Sequence, residues 1–69
     1  MTGFIETVWV SCGFGFIKPD ERGAPDIFFH AQDVCPELEF GEQLQEMRVA
    51  YDATLTRKGP RAVNVRPAP

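Results

Sequence analysis

Few residues in this chain can do covalent or acid–base chemistry. It has one histidine, His30, and two cysteines, Cys12 and Cys35. A catalytic nucleophile needs a base in hydrogen-bond reach and a third group to orient that base. No Ser or Cys here has such a companion. The carboxylates are scattered through loop-like stretches as a solubilising coat, not set as an acid–base pair. Cys12 and Cys35 make no C-x-x-C pair, and with His30 they are too few for a zinc site. No Gly-rich, phosphate-cradling loop of the Walker type is present. These residues point away from an enzyme and require no metal and no cofactor.

What the spacing does offer is stacking. Read as a strand, Cys12-Gly13-Phe14-Gly15-Phe16-Ile17 puts Phe14 and Phe16 on one face, with Gly13, Gly15 and Ile17 on the other. The apolar residue and the glycines then belong to the core side, and two large rings point outward. That reverses the usual arrangement of a strand with one wet face. Glycines are tolerated in strands where the backbone bends or something approaches closely. An exposed aromatic pair on a bent strand is a platform for flat ligands, of which unpaired bases are the commonest. The alternative, with both rings in a core and the glycines in a loop, is open on this stretch alone. Asp26 to Ala31 repeats the pattern: Ile27 and Phe29 share one face, Phe28 and His30 the other.

These stretches need a scaffold, and 69 residues allow one compact domain. With 43% hydrophobic and 25% charged residues, the composition is that of a globular protein and not a disordered one. No apolar run approaches the ~18 residues of a membrane span, and Met1 starts no signal-peptide pattern. A cytoplasmic location is expected, with the two cysteines as free thiols; a disulfide is the alternative. The net charge of −3 argues against a protein that grips nucleic acid mainly through a basic surface. Placement matters more than the sum: Glu37, Glu39, Glu42 and Glu46 gather in the middle, and Arg57, Lys58, Arg61 and Arg66 near the C-terminus.

Five strands are expected. Phe4 to Val10 is rich in β-branched and aromatic residues, and the Phe14 strand follows the turn Ser11-Cys12-Gly13 and ends before Pro19. After a turn-forming stretch to Asp26 comes the Ile27 strand. Gln32 to Met47 reads as a loop with a short helical piece near Glu42, in which at least one of Leu38, Phe40 and Leu44 closes an end of the core. Val49 to Ala53 places Val49, Tyr51 and Ala53 inward. Beyond the turn Arg57-Lys58-Gly59-Pro60, the strand Arg61 to Val65 places Val63 and Val65 inward. Residues 1–66 form the domain, and Pro67-Ala68-Pro69 is expected to fray. So short an all-β chain hides its edges best by curling into a small barrel.

Four blocks carry a resemblance to a known family: Met1-Thr2-Gly3, Gly13-Phe14-Gly15-Phe16-Ile17, Asp26-Ile27-Phe28-Phe29-His30, and Gly59-Pro60-Arg61-Ala62-Val63-Asn64-Val65. In this order the chain resembles a cold-shock domain, the middle blocks being similar to its two ribonucleoprotein motifs. The resemblance implies a five-stranded antiparallel OB-type barrel that binds single-stranded RNA or DNA, with low sequence specificity, in the manner of an RNA chaperone. It implies base stacking by Phe14, Phe16, Phe28 and His30, each ring worth ~1–3 kcal/mol per base. His30 can also attract phosphate when protonated. Lys58 and Arg61 are candidate phosphate contacts, or simply a solvated basic turn. Phe40 is a candidate loop stacker, with core closure as the competing role.

The departures fall in the binding surface. Aligned without gaps, the chain has Glu6 for the usual lysine, Thr7 for a surface tryptophan, Val8 for phenylalanine, Trp9 for asparagine, Cys12 for a lysine and Ala31 for an aromatic. Two lysines lost and one acid gained remove about three units of favourable charge, which weakens binding and flattens its salt dependence. A rival alignment, shifted by two residues, lets Trp9 restore the stacking ring. Either register puts Trp9 near the Phe14 strand, and it is expected on the ligand face, with burial as the alternative. A second function is compatible with these losses: a barrel of weakened nucleic-acid affinity that acts as a protein-interaction or dimerisation module, since an exposed aromatic patch also suits a protein interface.

Overall fold

The computed structural model describes residues 1–69. Its strands are β1 (Thr2–Trp9), β2 (Phe14–Pro19), β3 (Ile27–His30), β4 (Arg48–Thr56) and β5 (Gly59–Pro67). Single turns of 3-10 helix lie between β1 and β2, at Val10–Cys12, and between β3 and β4, at Ala31–Asp33 and Glu42–Leu44. The sheet closes on itself in the order β1-β2-β3-β5-β4, with β4 returning to β1. The all-β barrel read from the sequence is therefore present. It is not antiparallel throughout, because β3 and β5 run parallel where Phe28 faces Arg61. Parity requires this. Neighbours alternate direction in an antiparallel sheet, and a ring of five strands cannot alternate all the way round.

Alternation along β2 and β3 sends Gly15, Ile17, Ile27 and Phe29 inward. They meet Ile5, Leu44, Val49, Tyr51, Ala62 and Val65 in one core. Gly15 is where the walls come closest. A Cβ there would sit 2.9 Å from the Phe29 ring and 2.5 Å from the Thr7 carbonyl oxygen, so only glycine fits. Leu44 closes one end of the barrel, and Leu38 and Phe40 pack against the same core.

Two inward assignments in the C-terminal hairpin are corrected. Ala62 and Val65, not Val63 and Val65, are buried. The pairing of β5 with β4 slips between Ala50 and Asp52, where Asn64 takes a left-handed backbone with φ of 53°. That bulge inserts one residue, so the inward positions fall three apart. Ala53 is exposed although Val49 and Tyr51 are buried. β1 covers β4 only from Arg48 to Ala50, and beyond Tyr51 the strand has β5 on one side and solvent on the other. The sheet also runs further at the C-terminus than proline-rich sequence suggests. Pro67 lies opposite Val49, and the Ala68 N–H donates to the Arg48 carbonyl at 3.2 Å.

Candidate nucleic-acid interface

β1 delivers the first ring, and a bulge decides where it points. Ile5 pairs with Ile17, but Thr7, not Glu6, pairs with Phe16. Glu6 and Thr7 together oppose one residue of β2, so alternation flips after Ile5. Ile5 points into the core; Thr7 and Trp9 share the outer face, and Val8 between them packs inward. In an unbroken strand Ile5 and Trp9, four residues apart, would share a face. Trp9 then leads into the Val10–Cys12 turn, which Gly13 closes in a left-handed conformation (φ 79°) with its N–H bonded to the Trp9 carbonyl at 3.0 Å. The turn brings Phe14 back directly opposite Trp9.

Pairing across β1, β2 and β3 makes a grid on the outer surface. One row is Trp9, Phe14, His30; the next is Thr7, Phe16, Phe28. The Trp9 ring lies 5.3 Å from Phe14 and 5.7 Å from Phe16, centroid to centroid, and Phe28 lies 5.6 Å from Phe14 and 6.0 Å from Phe16. The rings tilt or meet edge to face, the preferred aromatic geometry, so they prop one another on the outer surface. Trp9 is 44% exposed, and Phe14, Phe16, Phe28 and His30 are half-buried.

His30 is anchored twice. Its backbone N–H donates to Asp33 Oδ2 at 2.8 Å, and its Nδ1 accepts the Gln32 N–H at 3.0 Å. Accepting at Nδ1 makes Nε2 the N–H position of the neutral ring and leaves it facing outward. Asp33 also accepts two bonds from Arg61, at 2.7 and 3.0 Å, and its side chain is only 8% exposed. This bidentate pair raises the Arg61 guanidinium above its ordinary range, chiefly through the hydrogen bonds to Asp33. Much of the Arg61 charge is thereby committed to joining β3 and β5.

Two further basic residues, Arg57 and Lys58, lie in the β4–β5 turn. The Thr56 hydroxyl donates to the Gly59 carbonyl at 2.7 Å and accepts the Lys58 N–H at 3.2 Å, which fixes the turn. Neither Arg57 nor Lys58 is ion-paired. With Phe28, His30, Pro60 and Arg61 they line an open cleft of about 580 Å³ continuous with the ring surface.

Of the residues singled out from sequence, Trp9, Phe14, Phe16, Phe28, His30, Lys58 and Arg61 come together. Phe40 does not join them; its ring partner is the buried Phe29, 6.2 Å away. Cys12 and Cys35 are both free, Cys12 exposed beside Gly13. Two residues of the surface, Lys18 and Arg57, are not among the site residues singled out from the sequence. Lys18 continues the outward alternation of Phe14 and Phe16, a signal that period two alone contains. Arg57 had no local signal beyond its basic turn.

A family model described as the 'Cold-shock' DNA-binding domain matches residues 1–68. Among curated proteins, the chain is 42% identical over 57 residues to the cold shock protein ScoF of Streptomyces coelicolor, covering 81% of each. It is 34% identical over 65 residues to the cold shock-like protein CspG of Escherichia coli, covering 94% of this chain and 90% of that protein. The same identity over the same length relates it to the cold shock-like protein CspA of Vibrio cholerae.

Proposed function

This chain belongs to the cold-shock domain family, and on that premise we propose that it binds single-stranded RNA or DNA by stacking unpaired bases on Trp9, Phe14, Phe16, Phe28 and His30. The observation that carries the reading is the grouping of these five side chains on one outward surface, with neighbouring ring centroids of Trp9, Phe14, Phe16 and Phe28 5.3–6.2 Å apart. Any base has a π-face, so such a surface takes single strands with little regard to sequence. Duplexes keep their bases stacked on one another and offer it nothing. Arg57 and Lys58 meet the phosphates, with Arg61 holding their cleft in shape. The role is non-catalytic: holding RNA open as a chaperone does, in the cytoplasm, where Cys12 and Cys35 stay reduced.

The test reads Trp9, the only tryptophan. Oligo-pyrimidine DNA at low salt is expected to quench its fluorescence, and duplex DNA of the same sequence to leave it unchanged. The Phe14→Ala, Phe28→Ala double variant should bind roughly 30-fold more weakly or worse, at ~1–3 kcal/mol per lost stacking ring. Equal quenching by single strand and duplex, or an unaltered double variant, would sink the reading.

A further inference from the structure

Arg61 is held differently from the other cations of the cleft. It is the partner of Phe28 across the parallel seam between β3 and β5, and both residues line the same open cleft. Its neighbour Ala62 is buried, so Arg61 faces the outer surface, as Phe28 does. The guanidinium meets Asp33 along one edge only, Nε donating to Oδ2 at 2.7 Å and Nη2 to Oδ1 at 3.0 Å. Asp33 is itself fixed, nearly buried and with Oδ2 also accepting the His30 N–H at 2.8 Å. A guanidinium carries five N–H donors in a rigid plane. Two are engaged by Asp33, and the second edge, formed by Nη1 and Nη2, has no acceptor in the protein. The Arg61 side chain is 35% exposed. The pairing therefore fixes the plane of the guanidinium and offsets its charge, while a fork of two donors stays open.

We propose that Arg61, oriented by Asp33, reads one base of a bound single strand: its free Nη1–Nη2 edge takes O6 and N7 of a guanine that stacks on Phe28. The proposal rests on the single-strand-binding reading and adds one base preference to it. Adjacent strands lie ~4.8 Å apart, so a base lying on the Phe28 ring brings its edge over β5 at Arg61. Two kinds of group can fill such a fork, a phosphate or a base edge with two acceptors. With the Asp33 carboxylate at hydrogen-bond distance the local charge is close to balanced, so an anion gains little there. Hydrogen bonds to a neutral pair of acceptors keep their directionality. Phosphates are better served by Arg57 and Lys58, which are not ion-paired. Guanine presents O6 and N7 side by side, whereas adenine sets an amino donor beside N7 and thymine a methyl group beside O4. Guanine is the base that matches two parallel donors. Asp33 is a positioning residue, because without it the guanidinium turns freely and regains its charge.

The experiment titrates Trp9 fluorescence with thymidylate hexamers in which one central base is guanine, hypoxanthine, adenine or 7-deazaguanine. Hypoxanthine keeps O6 and N7, and 7-deazaguanine lacks N7. The guanine and hypoxanthine probes should bind the unaltered chain roughly 5-fold or more tightly than the adenine probe, the low end of what a bidentate contact gives. The 7-deazaguanine probe should lose most of that gain. Arg61→Lys keeps a charge but has no fork, and should bring the guanine and adenine probes to equal affinity, whatever their common value. Asp33→Asn should shrink the preference and, by unmasking Arg61, steepen the salt slope by about −0.7, the contribution of one phosphate. Loss of a merely structural bond would leave that slope unmoved. Equal affinities for guanine and adenine in the unaltered chain, or a preference that survives Arg61→Lys, overturn the proposal and leave the stacking reading standing. An Asp33→Asn chain with unaltered preference and slope overturns the positioning role of Asp33. If no hexamer binds, plain thymidylate included, the stacking reading has failed and takes the base preference with it.

Discussion

At the scale of single residues, two positions of β2 separate binding from folding. Phe14 touches Trp9 and Phe28 on the outside, and Gly15 touches Phe29 on the inside. Phe14→Ala removes a stacking face without opening the core, so it should weaken oligonucleotide binding by ~1–3 kcal/mol in a Trp9 titration and leave the urea midpoint almost unmoved. Gly15→Ala should do the reverse. Its new methyl meets the Phe29 ring at 2.9 Å, and overpacking of this kind costs about 1–3 kcal/mol, read as a lowered urea midpoint. This division was legible in the sequence, because period two alone assigns Phe14 and Gly15 to opposite faces. The partner of Phe40 was not: its loop has no period to read, and only the packed core shows that its ring neighbour is Phe29.

At the scale of elements, two carboxylates tie distant strands. Asp20, just past β2, accepts from Arg48 of β4 at 2.8 Å and from the Thr2 hydroxyl of β1 at 2.7 Å. These bonds, Arg48's first, lower its pKa from 3.8 to about 2. A carboxyl depressed by folding adds stability that is fully present above pH 3.8 and is lost as pH falls through about 2. Asp20→Asn should therefore be less stable than the unaltered chain at pH 5, with the gap closing by pH 2, in urea titrations at each pH. Glu6 has the opposite sign. Its pKa is raised in the fold, so ionising it works against the native state, and Glu6→Gln should gain stability as pH rises above 4.5. Asp33 joins β3 to β5 with its side chain nearly buried. Asp33→Ala leaves Arg61 and the His30 N–H without their acceptor, so at pH 7 it should lower the urea midpoint more than Asp20→Asn does.

At the scale of the whole molecule, a net charge of −3 surrounds a binding surface served by few free cations. Three of the seven basic residues are ion-paired, Arg48 with Asp20, Arg61 with Asp33 and Arg66 with Asp52. If Arg57 and Lys58 are the phosphate contacts, the logarithm of affinity should fall with the logarithm of salt at a slope of roughly −1.4, at about −0.7 per phosphate for single strands. A slope steeper than about −3 would mean that cations elsewhere carry the binding.

The local pattern by itself determined an all-β domain, its aromatic outer surface and the inward line of Ile17, Ile27 and Phe29, since each follows from side chains alternating on an extended backbone. Closure of the barrel decided the rest. Bulges at Glu6 and Asn64 break the alternation, and an odd number of strands makes one seam parallel. Those choices supply the bulge that turns Trp9 to the outer face expected for it, and put Val63 out of the core and Arg61 against Asp33. A bulge leaves no mark on the sequence, because the residue it sets aside is chosen by how two strands far apart in the chain must meet.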